Sequence, residues 1–173
     1  YPAVIWARER FAEGALGQIV YQEAQYWHDW HDGLEKVWAQ RYGEGWEDRC
    51  GAELPFTYST HTMSAITTVT GARPLSISSM GIELEEDPYF SEDRPHRNRI
   101  GNQVGMLRMS DGSVARISEF RRVAADAVSF SYLGTEGSLL WPGYTWNDLK
   151  TRQGALEFPD YRERLPKELV AAD

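Results

Sequence analysis

The sequence predicts an α+β fold: a mainly antiparallel, open sheet of about six or more strands with helices on one face. Three observations predict it. Strand-like runs follow one another across short turn signals, most clearly at Asp111-Gly112 and at Thr135-Glu136-Gly137. The clear helical patterns fall early, before residue 72, and do not alternate with strands as βαβ units would. With 173 residues and 42% apolar content, the chain fits a single domain. That length buries roughly two-thirds of the unfolded surface.

In chain order, Val4, Ile5, Ala7, Phe11 and Leu16 recur near helical spacing, Pro2 suits a first turn, and Gly14 and Gly17 end the pattern. Residues 19–27 have the β-branched and aromatic content of a strand. Residues 28–56 hold no sustained period and read as a long loop rich in His, Asp, Gly, Trp and Arg. A helix follows over 58–71, with Ser59 or Thr60 as its cap and Gly71 as its stop. Residues 75–84 read as a strand, and 85–101 as a charged loop. Two alternating runs, 102–109 and 114–120, meet at Asp111-Gly112 and predict a hairpin, since glycine accepts the positive φ of a tight turn. Residues 128–134 and 138–141 predict two more strands, and the tail after Trp146 is polar. Ile117 and Leu133, set against Phe130 and Tyr132, suggest apolar residues on both faces of some strands. A second copy of the chain, packed sheet to sheet, would cover the face that the helices leave open.

Composition excludes several functions. The net charge of −8, with scattered Lys and Arg, argues against a nucleic-acid partner. No run approaches the ~20 apolar residues of a membrane span. The one cysteine, Cys50, permits no intrachain disulfide and points to a reducing, cytoplasmic setting. No neighbouring base marks Cys50 as a reactive thiol. The start, Tyr1-Pro-Ala-Val-Ile-Trp, has no charged n-region and no cleavage motif, and reads as cut from a longer chain. Aromatic residues at 13% suit a ligand cleft or a subunit interface as well as a core.

The residues that carry chemistry fall in two places. His61, on the first turn of its helix, has a side chain able to exchange protons near neutral pH, or to serve as a hydrogen-bonded structural histidine. His28-Asp29-Trp30-His31-Asp32 is the densest polar cluster. It reads as a substrate-binding loop, with His28 and Asp29 hydrogen-bonding hydroxyls and Trp30 stacking a ring, or else as a solvated turn. A metal reading needs His28 and His31 on one face, which a strand does not provide. Tyr26 and Tyr58 add hydroxyl donors or plain packing. Arg49, Arg73 and Arg97 read as ordinary surface ion-pair members or else as carboxylate or phosphate clamps, with Arg73, next to Pro74, structural.

Four segments carry a resemblance: Gly14-Ala-Leu16-Gly17-Gln-Ile19, the His61 helix ending Thr-Gly71-Ala-Arg-Pro, the Asp111-Gly112 hairpin, and Leu133-Gly134-Thr-Glu-Gly137-Ser-Leu. Together, over roughly residues 1–145, they resemble the C-terminal domain of the Gfo/Idh/MocA oxidoreductases. Tyr26-x-His28-Asp29 and Tyr58-x-Thr60-His61 look most like the branch that contains NAD-dependent glycosidases. The resemblance implies a substrate-binding and oligomerisation domain, normally preceded by a Rossmann domain that is missing here and holds NAD or NADP. It further implies His61 as the catalytic residue, with Tyr26, His28, Asp29, Trp30 and Tyr58 binding a sugar or cyclitol.

The family's helix motif, D-x-G-x-H-x-x-D, aligns with Thr57, Ser59, His61 and Ser64, so only the histidine is kept. The acid that would partner it in a proton relay is replaced by Ser64. No E-K-P motif and no G-x-G-x-x-G before a helix occur, so the chain alone is expected to bind no dinucleotide. The rival expectation is a non-catalytic sugar-binding or assembly module of the same fold.

Overall fold

A computed structural model describes residues 1–29, 34–45, 59–85 and 100–146. Their elements are α1 (Pro2–Ala12), β1 (Ile19–Asp29), α2 (Leu34–Tyr42), α3 (Thr60–Thr70), β2 (Pro74–Glu83), β3 (Ile100–Met109), β4 (Val114–Phe120), β5 (Arg122–Gly134) and β6 (Ser138–Trp146). The six strands form one open sheet in the order β2-β3-β4-β1-β5-β6. Every neighbouring pair is antiparallel except β1 and β4, which run parallel. A mainly antiparallel α+β sheet is therefore the architecture, as the turn signals predict.

The two hairpins form as expected. At Asp111-Gly112 the Asp111 carboxylate accepts from the backbone N–H of Ser113 (3.0 Å) and from its hydroxyl (2.7 Å), closing an Asx-type turn. The turn at 135–137 is tied to the connection between α1 and β1: Gln18 O accepts from Thr135 N (3.0 Å) and Leu16 O from Glu136 N (3.1 Å).

Strand register sorts the side chains. Ala24 lies level with Ile117 on one side and Phe130 on the other, and Gln22 with Ala115 and Tyr132. These residues, with Leu107, share the face covered by α1 and α3, where Ala3, Val4, Ala7, Ala65, Ile66 and Val69 meet them in the core. The Tyr132 hydroxyl donates to Ala65 O (2.9 Å) and pins α3 to β5. Burying that phenol pushes its pKa well above the usual tyrosine range.

Four expectations need correction. Ile117 does not oppose Phe130 and Tyr132; register puts all three on the helix face, and only Leu133 lies opposite, level with Tyr21. The centre of the open face is instead polar. Glu23 there accepts from the Tyr21 hydroxyl (2.9 Å) and pairs with Arg116 (2.9 Å), with Gln25 also donating to it. Burial and Glu23 together push the Tyr21 phenol up to about 12. The expected 28–56 loop contains α2, whose Trp38 is buried; Leu34, Val37, Trp38 and Tyr42 do recur at helical spacing, but over only nine residues inside a stretch rich in His, Asp and Gly.

The last two corrections concern β5 and β6. β5 begins six residues earlier than the expected 128, and β6 runs five residues beyond the expected 141. Arg-Arg-Val-Ala-Ala-Asp-Ala has little strand propensity, and Pro142 reads as a breaker. Pairing with β6 at 125–127 and with β1 at Arg122 and Ala127 overrides the first, and β6 tolerates its proline because it is an edge strand.

Candidate functional site

α3 begins at Ser59, which occupies the N-cap position without a side-chain cap bond, and ends at Gly71 with φ 73°, a left-handed stop that glycine adopts at no steric cost. Its apolar stripe, Ala65, Ile66 and Val69, seats it on the sheet. Helical geometry then sends His61, one turn earlier, over the end of β1. At that end β1 presents Tyr26 on the helix face, level with Glu119 of β4 and Val128 of β5. The site thus gathers at one end of the sheet: the C-terminal ends of β1 and β4, the N-terminal part of β5, and the first turn of α3.

The rings of Tyr26 and His61 stack, 4.7 Å between centroids at 20°. His28 meets the edge of Tyr26 at 5.1 Å and 85°. The Tyr1 hydroxyl lies 3.4 Å from His61 Nδ1. His28 Nδ1 lies 2.7 Å from Asp126 Oδ1, and that oxygen also accepts the backbone N–H of Asp29 (3.2 Å). A carboxylate only accepts, so Nδ1 of His28 carries the proton and Nε2 is the basic nitrogen when the ring is neutral. Both members of this dyad are about two-fifths exposed, at 38% and 40%.

Behind the rings, Glu119 and Arg121 form a buried ion pair, and the Thr62 hydroxyl donates to Glu119. The Arg121 guanidinium lies 5.5 Å over the Tyr26 ring. Burial, followed by the positive charges of Arg121 and Arg41, holds His61 below the ordinary histidine range. The imidazole is therefore neutral at pH 7 and able to accept a proton. Burial raises Glu119 above the usual carboxylate range, although Arg121 and the Thr62 hydroxyl act against it.

Of the residues singled out in the sequence, the fold brings Tyr26, His28 and His61 together and sets the Asp29 backbone beside them. Trp30 and Tyr58 lie outside the described residues, as do His31, Asp32, Arg49, Arg97, Cys50 and Thr57. Arg73 is exposed at the α3–β2 junction, where its backbone exchanges hydrogen bonds with Ser110 (2.8 and 2.9 Å), a structural position. Ser64 gives its hydroxyl to His61 O (3.1 Å), a bond within the helix. Among the described residues, no three His, Cys, Asp or Glu side chains cluster as metal ligands.

Sequence reasoning missed Asp126, Glu119, Arg121 and Thr62. One signal was available: in the run 114–120, Glu119 sits two residues from Ile117, on the face that alternation assigns to the core.

No helix among the described residues is long and apolar enough to cross a membrane. The family described as the GFO/IDH/MocA C-terminal domain matches residues 4–140. No curated protein matches in sequence. Among solved structures, a probable dehydrogenase from Thermotoga maritima is similar with a TM-score of 0.63 at 12% identity, over 88% of this chain and 43% of that one. Levoglucosan dehydrogenase in complex with NADH and levoglucosan is similar at 0.60 and 18%, over 87% of this chain and 42% of that one. The apo scyllo-inositol dehydrogenase from Lactobacillus casei is similar at 0.57 and 15%, over 80% and 37%. The chain spans about two-fifths of the length of these neighbours. With a family match over four-fifths of its length, the chain belongs to the GFO/IDH/MocA C-terminal domain family.

Proposed function

We propose that this chain is the substrate-binding domain of a nicotinamide-dependent oxidoreductase acting on a sugar or cyclitol, with His61 exchanging the proton of the reacting hydroxyl. The single observation that carries the reading is the His61–Tyr26 stack at the end of the sheet, flanked by the His28–Asp126 dyad. Polyols are recognised by a few convergent donors and acceptors beside an aromatic face, and this cluster supplies both.

The sequence holds no G-x-G-x-x-G motif, which supports placing the dinucleotide outside these residues. NAD or NADP would sit in an N-terminal Rossmann domain and supply the hydride acceptor. The residues here then bind and orient the substrate. A neutral His61 takes the hydroxyl proton in the oxidising direction and returns it in the reducing one. His28, fixed by Asp126, accepts a second substrate hydroxyl at Nε2, and Tyr26 forms the wall between the two histidines. Trp30 and Tyr58, near these residues in sequence, are assigned to substrate binding with Asp29.

A redox-type glycosidase is the second reading. The observation favouring it is Ser64, whose hydroxyl is spent on the helix backbone where an alcohol dehydrogenase relay would place an acid. Release of the aglycone from a nitrophenyl glycoside without net NADH would select it. A non-catalytic module is the third, and turnover of any sugar with NAD present would discard it. We further propose that copies assemble through the open face, where Met80, Ile82, Met106 and Leu140 are 81%, 52%, 41% and 67% exposed.

In the intact protein, His61→Ala should lower kcat about 100-fold or more while the fold persists. An unchanged kcat would remove His61 from the mechanism.

A further inference from the structure

The ion pair behind the stack does more than its stability would justify. Glu119 and Arg121 are 3% and 5% exposed. A buried ion pair is a poor stabilising device, since apolar residues of the same volume often serve as well. This one reaches both halves of the Tyr26–His61 stack. Glu119 accepts from the hydroxyl of Thr62, the residue next to His61 on α3. Arg121 donates through Nη1 to Tyr26 O (3.3 Å) and lies over the Tyr26 ring. Asn102 Oδ1 in turn accepts the backbone N–H groups of Arg121 (2.9 Å) and Arg122 (3.0 Å), fixing the chain where β4 gives way to β5.

We propose that Arg121, anchored by Glu119, is a positioning residue for proton transfer at His61, holding helix and strand so that the imidazole stays stacked on Tyr26. The inference rests on the reading of His61 given above. It also has an electrostatic consequence, because a fixed cation beside an imidazole disfavours the imidazolium. Arg121 is the largest charged contribution to the lowering at His61, after burial.

Among the described residues, other groups also face His61. Tyr1 brings its hydroxyl, β1 brings Tyr26 and His28, and α2 brings Arg41. Asp126 of β5 acts on His28, and Glu119 directs its oxygens to Thr62 and Arg121.

The test is a proton titration of His61 in the full-length protein with 13C-labelled histidine, read by NMR and assigned by the loss of its signal in His61→Gln. Arg121→Met leaves Glu119 buried and unpaired and is at risk of unfolding, so Glu119→Leu/Arg121→Met is made beside it. In each folded variant the His61 midpoint should move up by about half a pH unit. The acid limb of kcat/KM should move with it, and kcat should fall about tenfold as the stack loosens. Arg121→Lys keeps the charge without the planar fork, so the midpoint should stay near wild type while kcat falls.

A folded double variant with an unmoved midpoint and an unmoved pH profile overturns the proposal. So does a variant that loses only thermal stability. The titration needs no substrate. A midpoint that moves therefore supports the coupling even if His61→Ala leaves turnover unchanged, a result that would count only against the proposed chemistry.

Discussion

His61 and Glu119 are held away from their ordinary protonation behaviour in opposite directions, and the sign of each effect on stability follows. Because the folded pKa of His61 is lowered, the unfolded chain binds more protons in the window just below the usual histidine value of about 6.5. Its contribution to stability is complete above that value and is lost as pH falls through the folded pKa. Glu119, raised by burial, does the reverse: its contribution is complete below the usual glutamate range and is lost as pH rises through the raised value. On acidification below about pH 6.5 the melting temperature of wild type should therefore fall relative to that of His61→Gln. Parallel Tm-against-pH curves for the two proteins would show that His61 is not responsible. The dyad teaches a related lesson. His28 could be picked out in sequence as chemistry-bearing, but its partner Asp126 lies 98 residues away and only strand pairing supplies it.

Among the elements, the β5–β6 turn is locked most tightly. A Cβ added at Gly134 would lie 2.0 Å from Leu16 O and 2.8 Å from Gly137 O, both backbone atoms that cannot step aside. Gly134→Ala should cost about 1–3 kcal/mol, measured by denaturant unfolding, and should detach the turn from the α1–β1 connection. A cost near zero would mean that the two segments do not approach so closely. Element type was legible wherever a local rule spoke strongly. The Asp111-Gly112 turn, the Gly71 stop and the Ile-Val-Tyr start of β1 all behave as their chemistry demands. α2 and the first half of β5 were not legible. Trp38 is buried by tertiary packing, and residues 122–127 are extended because β1 pairs with Arg122 and Ala127 and β6 pairs with 125–127.

For the whole molecule, the open sheet face sets the next expectation. Its polar centre around Glu23 is flanked by exposed apolar residues on β2, β3 and β6, an arrangement suited to a second copy. Light scattering at micromolar concentration should give a mass above that of one chain, and Met80→Lys with Leu140→Lys should reduce it; a monomeric wild type would end the idea. The sequence alone determined the fold class, both hairpins, the helix that carries His61 and the family, because these depend on turn residues, short-range periodicity and ordered motifs. Only the tertiary structure decided that β4 runs parallel to β1, that Ile117 faces inward, and that Asp126, Glu119 and Arg121 join Tyr26, His28 and His61. Those facts depend on register between strands far apart in the chain, which no local pattern encodes.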